Sequence, residues 1–203
     1  MMKHRNTEKE TRQTPQASQA RILEAAKESI LAVGVRRTKF TDVARIAGVS
    51  RMTVYRHFPD TTSLVGALMT HEFGAQLQEV LARAAKQRTG RARLVFAVVG
   101  GVEALAEHPL FRRVLDVDPE LLLPYLVQRL GSTQKEALSL LRQLLKEGQA
   151  DRSIRRGNDQ LIAHALLFSV QSFLVGGRVA TPGIARTALI AELETLVDRY
   201  LAP

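Results

Sequence analysis

The chain has no cysteine. Without thiols it can build neither a disulfide framework nor a thiolate metal site. Aromatic residues amount to only 5%, while Leu, Ala, Arg and Glu dominate, which favours helix packing over a β-sandwich. Long apolar runs are also missing. The longest, Leu161 to Gly177, is interrupted by His164, Ser169, Gln171 and Ser172 and falls short of the ~20 apolar residues of a membrane span. The first sixteen residues are polar and charged, without the apolar run of a signal peptide. The expectation is a soluble, cytoplasmic protein.

Catalytic patterns are lacking as well. The histidines His4, His57, His71, His108 and His164 are scattered, with no metal-ligand spacing among them. His71 and Glu72 are adjacent on a helix and cannot converge on one ion. Asp116, Asp118 and Glu120 flank Pro119 and read as capping and solvation at a helix start. Gly100-Gly101 and Gly176-Gly177 lack a phosphate-loop pattern, and no serine has a nucleophile-elbow context. The sequence therefore predicts no enzyme, no metal and no cofactor.

What the chain does have is helical periodicity and a basic N-terminal third. With 203 residues and 45% hydrophobic content, a substantial core is available. Residues 1 to 60 hold 12 lysines and arginines against 6 acids, whereas the remaining residues hold 17 against 14. Most of the net charge of +9 thus sits in the first third, as expected for a phosphate-binding surface.

That region contains TDVARIAGVSRMTVYRHF, residues 41 to 58. The pattern predicts two short helices around a corner at Ala47-Gly48-Val49-Ser50, with Gly48 allowing the turn and Ser50 capping the second helix. Val43, Ala44 and Ile46 before the corner, and Val49, Val54 and Phe58 after it, give each helix an inward apolar side. Arg51, Met52, Thr53, Tyr55, Arg56 and His57 remain outside. This is a helix-turn-helix, whose second helix enters the major groove of DNA. Arg51 suits a bidentate contact to guanine, Thr53 and Met52 a thymine methyl or base edge, and Arg56 either base or backbone. Thr41 and Thr61 fall at helix N-termini, where free N–H groups favour a phosphate.

Val43-Ala44, Ala47-Gly48-Val49-Ser50, Thr53, Tyr55, His57-Phe58 and Leu64 together resemble the DNA-binding domain of the TetR family of bacterial transcriptional regulators. The resemblance in residue types spans roughly Ala20 to Leu68. It implies a homodimer that binds a palindromic operator through N-terminal three-helix heads, with a helical C-terminal domain for a small molecule and for dimerisation. It also implies phosphate contacts for Tyr55 and His57, whose other reading is packing against the first or fourth helix. Two positions depart from the family pattern. Met52 stands where Gly is common, and Thr61 where Lys often holds a phosphate.

The expected fold class is all-α: a flexible basic tail over 1–16, a DNA-binding head over 17–61 and an effector-binding and dimerisation domain over 62–203. In the tail, Lys3, Arg5, Lys9 and Arg12 can brush DNA or stay solvated. A first helix begins at Pro15 and stops at Gly34; Thr38 caps the second, Thr61 or Thr62 the fourth, and Ser132 a later amphipathic helix. A fifth helix runs from about Ala92 to Glu107. Pro109 and Pro119 start short helices, and Pro124 kinks or ends the second of them. The penultimate helix is apolar nearly all round, so it and the last helix, residues 183 to 201, are assigned to a twofold four-helix interface.

A cavity between the C-terminal helices is the expected effector site. His164, Phe168, Gln171 and Val175 share one stripe, and the polar pair is either satisfied in a core or dimer contact or anchors a ligand. Phe96, Arg113, Tyr125 and Arg142 are further candidates, and the surroundings suggest a hydrophobic ligand. A regulator that needs no effector, and an activator with the same fold, are the alternatives.

Overall fold

The computed structural model describes residues 15–176 and 183–203. The tail lysines and arginines at positions 3, 5, 9 and 12, and Gly177, lie outside the described residues. Ten helices are present among the described residues, with no strand. They are α1 (Pro15–Val33), α2 (Phe40–Ala47), α3 (Arg51–His57), α4 (Thr61–Ala84), α5 (Gly90–Glu107), α6 (Pro109–Val117), α7 (Leu123–Val127), α8 (Ser132–Ala150), α9 (Asp159–Gly176) and α10 (Arg186–Leu201). A single 3-10 turn, Pro119–Leu121, joins α6 to α7.

Two hydrophobic cores divide the molecule. The first gathers Ile22, Ile30, Val43, Val54, Phe58, Leu64 and Leu68 from α1 to α4, and also takes Leu110 and Val114 from α6. The second is built from the C-terminal half of α4 with α5, α8, α9 and α10, around Leu94, Leu145, Leu166, Leu193 and Leu201. The head is therefore sealed by a helix that comes from far along the chain. The chain turns by 62° between α5 and α6, at His108-Pro109, to bring α6 back onto α1.

Local chemistry sets the corners. Gly48 has φ +62°, the left-handed conformation a side chain resists, and this lets the Val49 N–H reach the Ala44 carbonyl at 3.0 Å. Ser50 Oγ then accepts from the Thr53 N–H at 3.1 Å, capping α3 as expected. Gly90 serves a different need. A Cβ there would lie 2.3 Å from the Gly148 Cα, so α5 and α8 meet backbone to backbone.

Several expected caps fall elsewhere. Lys39, not Thr38, is the N-cap of α2; the Thr38 side chain turns inward, where its hydroxyl donates to the Gly34 carbonyl at 2.8 Å and accepts from Ser29. Asp60 caps α4, bonding the Ser63 N–H at 2.7 Å, so Thr61 is the first helical residue. Gly131 precedes α8, and Gln134 Oε1 accepts its N–H at 2.7 Å, which leaves Ser132 free to meet Thr70 of α4. Thr89 begins α5 two residues earlier than expected. Pro124 starts α7 rather than ending a helix, because its missing N–H is not needed in a first turn.

By length and composition α9 could cross a membrane, being 18 residues long, but here it packs against α5 and α8.

Candidate DNA interface and inner cavity

The outer face of α3 is built from the residues the sequence singled out. Val54 and Phe58 anchor the helix inward, and Arg51, Met52 and Arg56 are exposed, Met52 at 74%. Tyr55 is a bridge between the two sides. Its ring packs on Phe40 of α2 with centroids 5.0 Å apart, and the Arg51 guanidinium lies 5.2 Å above it. Arg51 Nη2 also donates to the Tyr55 hydroxyl at 3.1 Å. Arg51 is thus held at the N-terminal end of α3 before any DNA arrives.

The remaining positions are less uniform. Thr53 is half-buried, with its hydroxyl 2.9 Å from Ser50 Oγ. His57 is half-buried beside Phe58, and its Nε2 is buried without a partner, so that nitrogen does not face solvent. Thr41 is exposed in the first turn of α2, and Thr61 is half-buried at the start of α4. Sequence reasoning missed Arg21 of α1, whose guanidinium donates to the carbonyls of Ala47 and Gly48 and braces the corner from behind. Nothing in the spacing of α1 distinguishes that arginine from a solvated one.

A polar junction ties this head to the rest of the chain. Asp118, 2% exposed at the end of α6, accepts the Val35 N–H at 2.7 Å. Arg113 donates to the Ala32 carbonyl at the end of α1 at 3.1 Å, and Arg36 pairs with Glu120. At the other end of α6, His108 Nδ1 accepts the Leu110 N–H at 3.2 Å and caps the helix. Its Nε2 faces Glu72 of α4 at 3.5 Å, and Glu72 pairs with Lys27 of α1 at 2.9 Å. Burial pushes the His108 pKa below its ordinary 6.5, with the Glu72 carboxylate opposing that only in part and the Lys27 ammonium reinforcing it. Hydrogen bonding to Glu72 raises the Lys27 ammonium above its ordinary value, against some desolvation.

Behind the junction lies a cavity of about 910 Å³. Its walls are Phe73, Gln76 and Leu77 of α4, Val98, Val102 and Leu105 of α5, Phe111 and Val114 of α6, and Leu141 and Leu144 of α8. Leu167, Val170, Gln171 and Leu174 of α9 close it. Of the residues expected there, Tyr125, Gln171 and Val175 line it. The others are drawn elsewhere by stronger partners. Phe96 packs on the outer core under the Arg83 guanidinium at 5.4 Å, and Arg142 pairs with Asp159 at 2.8 Å. Arg113 serves the head junction. His164 Nδ1 lies 2.7 Å from the Gln160 carbonyl, and Phe168, 54% exposed, stands on the outer face of α9. Phe73 and Gln76 were hidden in sequence because α4 reads simply as an apolar connector.

Comparison with known proteins agrees with this arrangement. The family described as "Bacterial regulatory proteins, tetR family" matches residues 22–68. An uncharacterized HTH-type transcriptional regulator of Mycobacterium bovis is 32% identical over 181 residues, covering 89% of this chain and 93% of the relative. Among solved structures, the transcriptional repressor QsdR of R. erythropolis superposes with a TM-score of 0.69 at 16% identity, covering 92% of this chain and 95% of that one. The transcriptional regulator FadR from Bacillus subtilis, in complex with stearoyl-CoA, gives 0.65 at 18% identity, covering 90% and 98%. The head, its resident helix-turn-helix and the full-length relative together place this chain in the TetR family of HTH-type transcriptional regulators.

Proposed function

We propose that the protein is a homodimeric repressor that grips a palindromic operator with two α3 helices and releases it when a small, largely apolar molecule fills the cavity. The supporting observation is a shared wall. Val114 of α6 lies in both the head core and the cavity lining, with Phe111 one turn before it on the cavity side. A ligand that displaces α6 must therefore also move the Asp118 and Arg113 grips on α1. DNA and ligand affinities would fall together and reciprocally, as coupling between two sites requires.

The division at residue 61 is a functional one under this reading, since α4 and α6 contribute to both cores. Arg51, Met52, Thr53 and Arg56 meet bases, while Thr41, Tyr55, His57 and Thr61 attend the backbone. The outward faces of α9 and α10 join two copies. The protein acts by binding alone, in the cytoplasm where its operator lies.

Selection of bound fragments from genomic DNA tests the reading directly. The expected product is an inverted repeat with half-sites about one helical turn apart, bound with a steep salt dependence. Arg51→Ala should cost about 1–3 kcal/mol and relax one base preference. Recovery of no preferred duplex, or unchanged selectivity in Arg51→Ala, overturns the proposal.

A further inference from the structure

The cavity carries more chemical information than its apolar walls. Of the buried side-chain polar atoms without a partner among the described residues, only Gln76 Oε1 belongs to a residue of the cavity wall. A buried amide oxygen left unpaired is costly, and the group that settles it must be a donor. The charged residues in the lining are Asp60, Arg129, Lys135 and Glu136, all exposed at the rim. They are two acids and two bases, so the rim carries no net attraction for an anion. Gln76 lies sixteen residues along α4 from Asp60, about 24 Å at helical rise. The space between is walled by leucine, valine and phenylalanine.

Resting on the reading of this cavity as the effector site, we propose that its ligand is an elongated, uncharged amphiphile. Its O–H or N–H is accepted by Gln76 Oε1, and its chain lies along α4 toward the rim. Gln76 is then the residue that sets effector class, separating hydroxyl- or amide-bearing chains from pure hydrocarbons, ethers and polyanionic thioesters. The half-buried Gln171 on α9 offers a second amide on the opposing helix.

Three probes with one chain length test this: dodecan-1-ol, 1-methoxydodecane and dodecanoyl-CoA. Each is titrated into the full-length protein, with the rise in melting temperature and the release of the selected operator duplex as readouts. Dodecan-1-ol is expected to bind about tenfold more tightly than its methyl ether, the worth of one good buried hydrogen bond. In Gln76→Leu that preference should vanish, with the ether binding as well as or better than before. Should that variant not fold, the alcohol-to-ether ratio in the native protein still decides the matter. Equal binding of alcohol and ether overturns this inference alone. Tightest binding by dodecanoyl-CoA also overturns it, while leaving the effector site in place. If none of the three stabilises the protein or releases DNA, the effector reading itself falls.

Discussion

The stack of Phe40, Tyr55 and Arg51 explains why a seven-residue helix can present a defined reading head. An exposed arginine loses considerable rotamer entropy on docking, and holding it against a ring removes part of that cost in advance. Tyr55→Phe keeps the packing on Phe40 but removes the hydroxyl that Arg51 donates to. The expected outcome is a selectivity loss smaller than in Arg51→Ala, about 0.5–1 kcal/mol for an exposed hydrogen bond, with nonspecific affinity nearly unchanged. Competition between operator and random duplex measures it. At this scale the sequence was informative wherever chemistry is local. Ser50 capping α3, Gly48 at the corner and Arg51 on the outer face all follow from residue type and spacing. Arg21, Phe40 and Gln76 were not legible, because their partners lie in other helices and no periodicity announces them.

At the scale of the element, helix existence was readable and helix ends were not. Each misplaced cap had two acceptable oxygens close together, and tertiary demand chose between them: Thr38 was taken by Ser29 and Gly34, leaving α2 to begin at Lys39. The start of α6 shows what a tertiary cap can do that a local one cannot. His108 caps only while its Nδ1 lacks a proton, and the buried ring faces Glu72 and Lys27. Because its folded pKa is lowered, the unfolded chain binds a proton there more readily than the fold does. Stability from this group is complete above the ordinary value of 6.5 and declines as the pH falls below it. His108→Asn keeps an acceptor at the cap but cannot titrate. Urea midpoints at pH 7.5 and 5.5 should differ less in that variant than in the native protein. The aspartates 151 and 159, whose pKa values are lowered mainly by hydrogen bonds from Ser153 and Arg142, lose their contribution only below their ordinary 3.8 and do not confuse this window.

For the whole molecule, the two-core plan was only partly visible in sequence. An all-α chain with a basic head could be read, but the insertion of α6 into the head core depends on a contact about eighty residues distant. The outer faces of α9 and α10 complete the plan. Leu161, Ala165, Phe168 and Ser172 recur at helical spacing on α9 and are all exposed, Leu161 at 69%. Leu196 and Tyr200 are exposed on α10, and both helices have their buried sides against α5. A twofold interface uses such a stripe twice, so one unfavourable charge enters it in duplicate. Phe168→Glu should therefore convert the protein to a monomer at micromolar concentration, read by sedimentation equilibrium. Thermal unfolding of each subunit should change little beyond the loss of the partner, since Phe168 is outside both cores. Operator affinity should fall steeply, because a single short helix reads too few bases to hold an operator, while weak salt-sensitive binding to any duplex persists. A variant that remains dimeric with full operator affinity would place the twofold axis on some other face, and the spacing of the two reading heads would then have to be sought there.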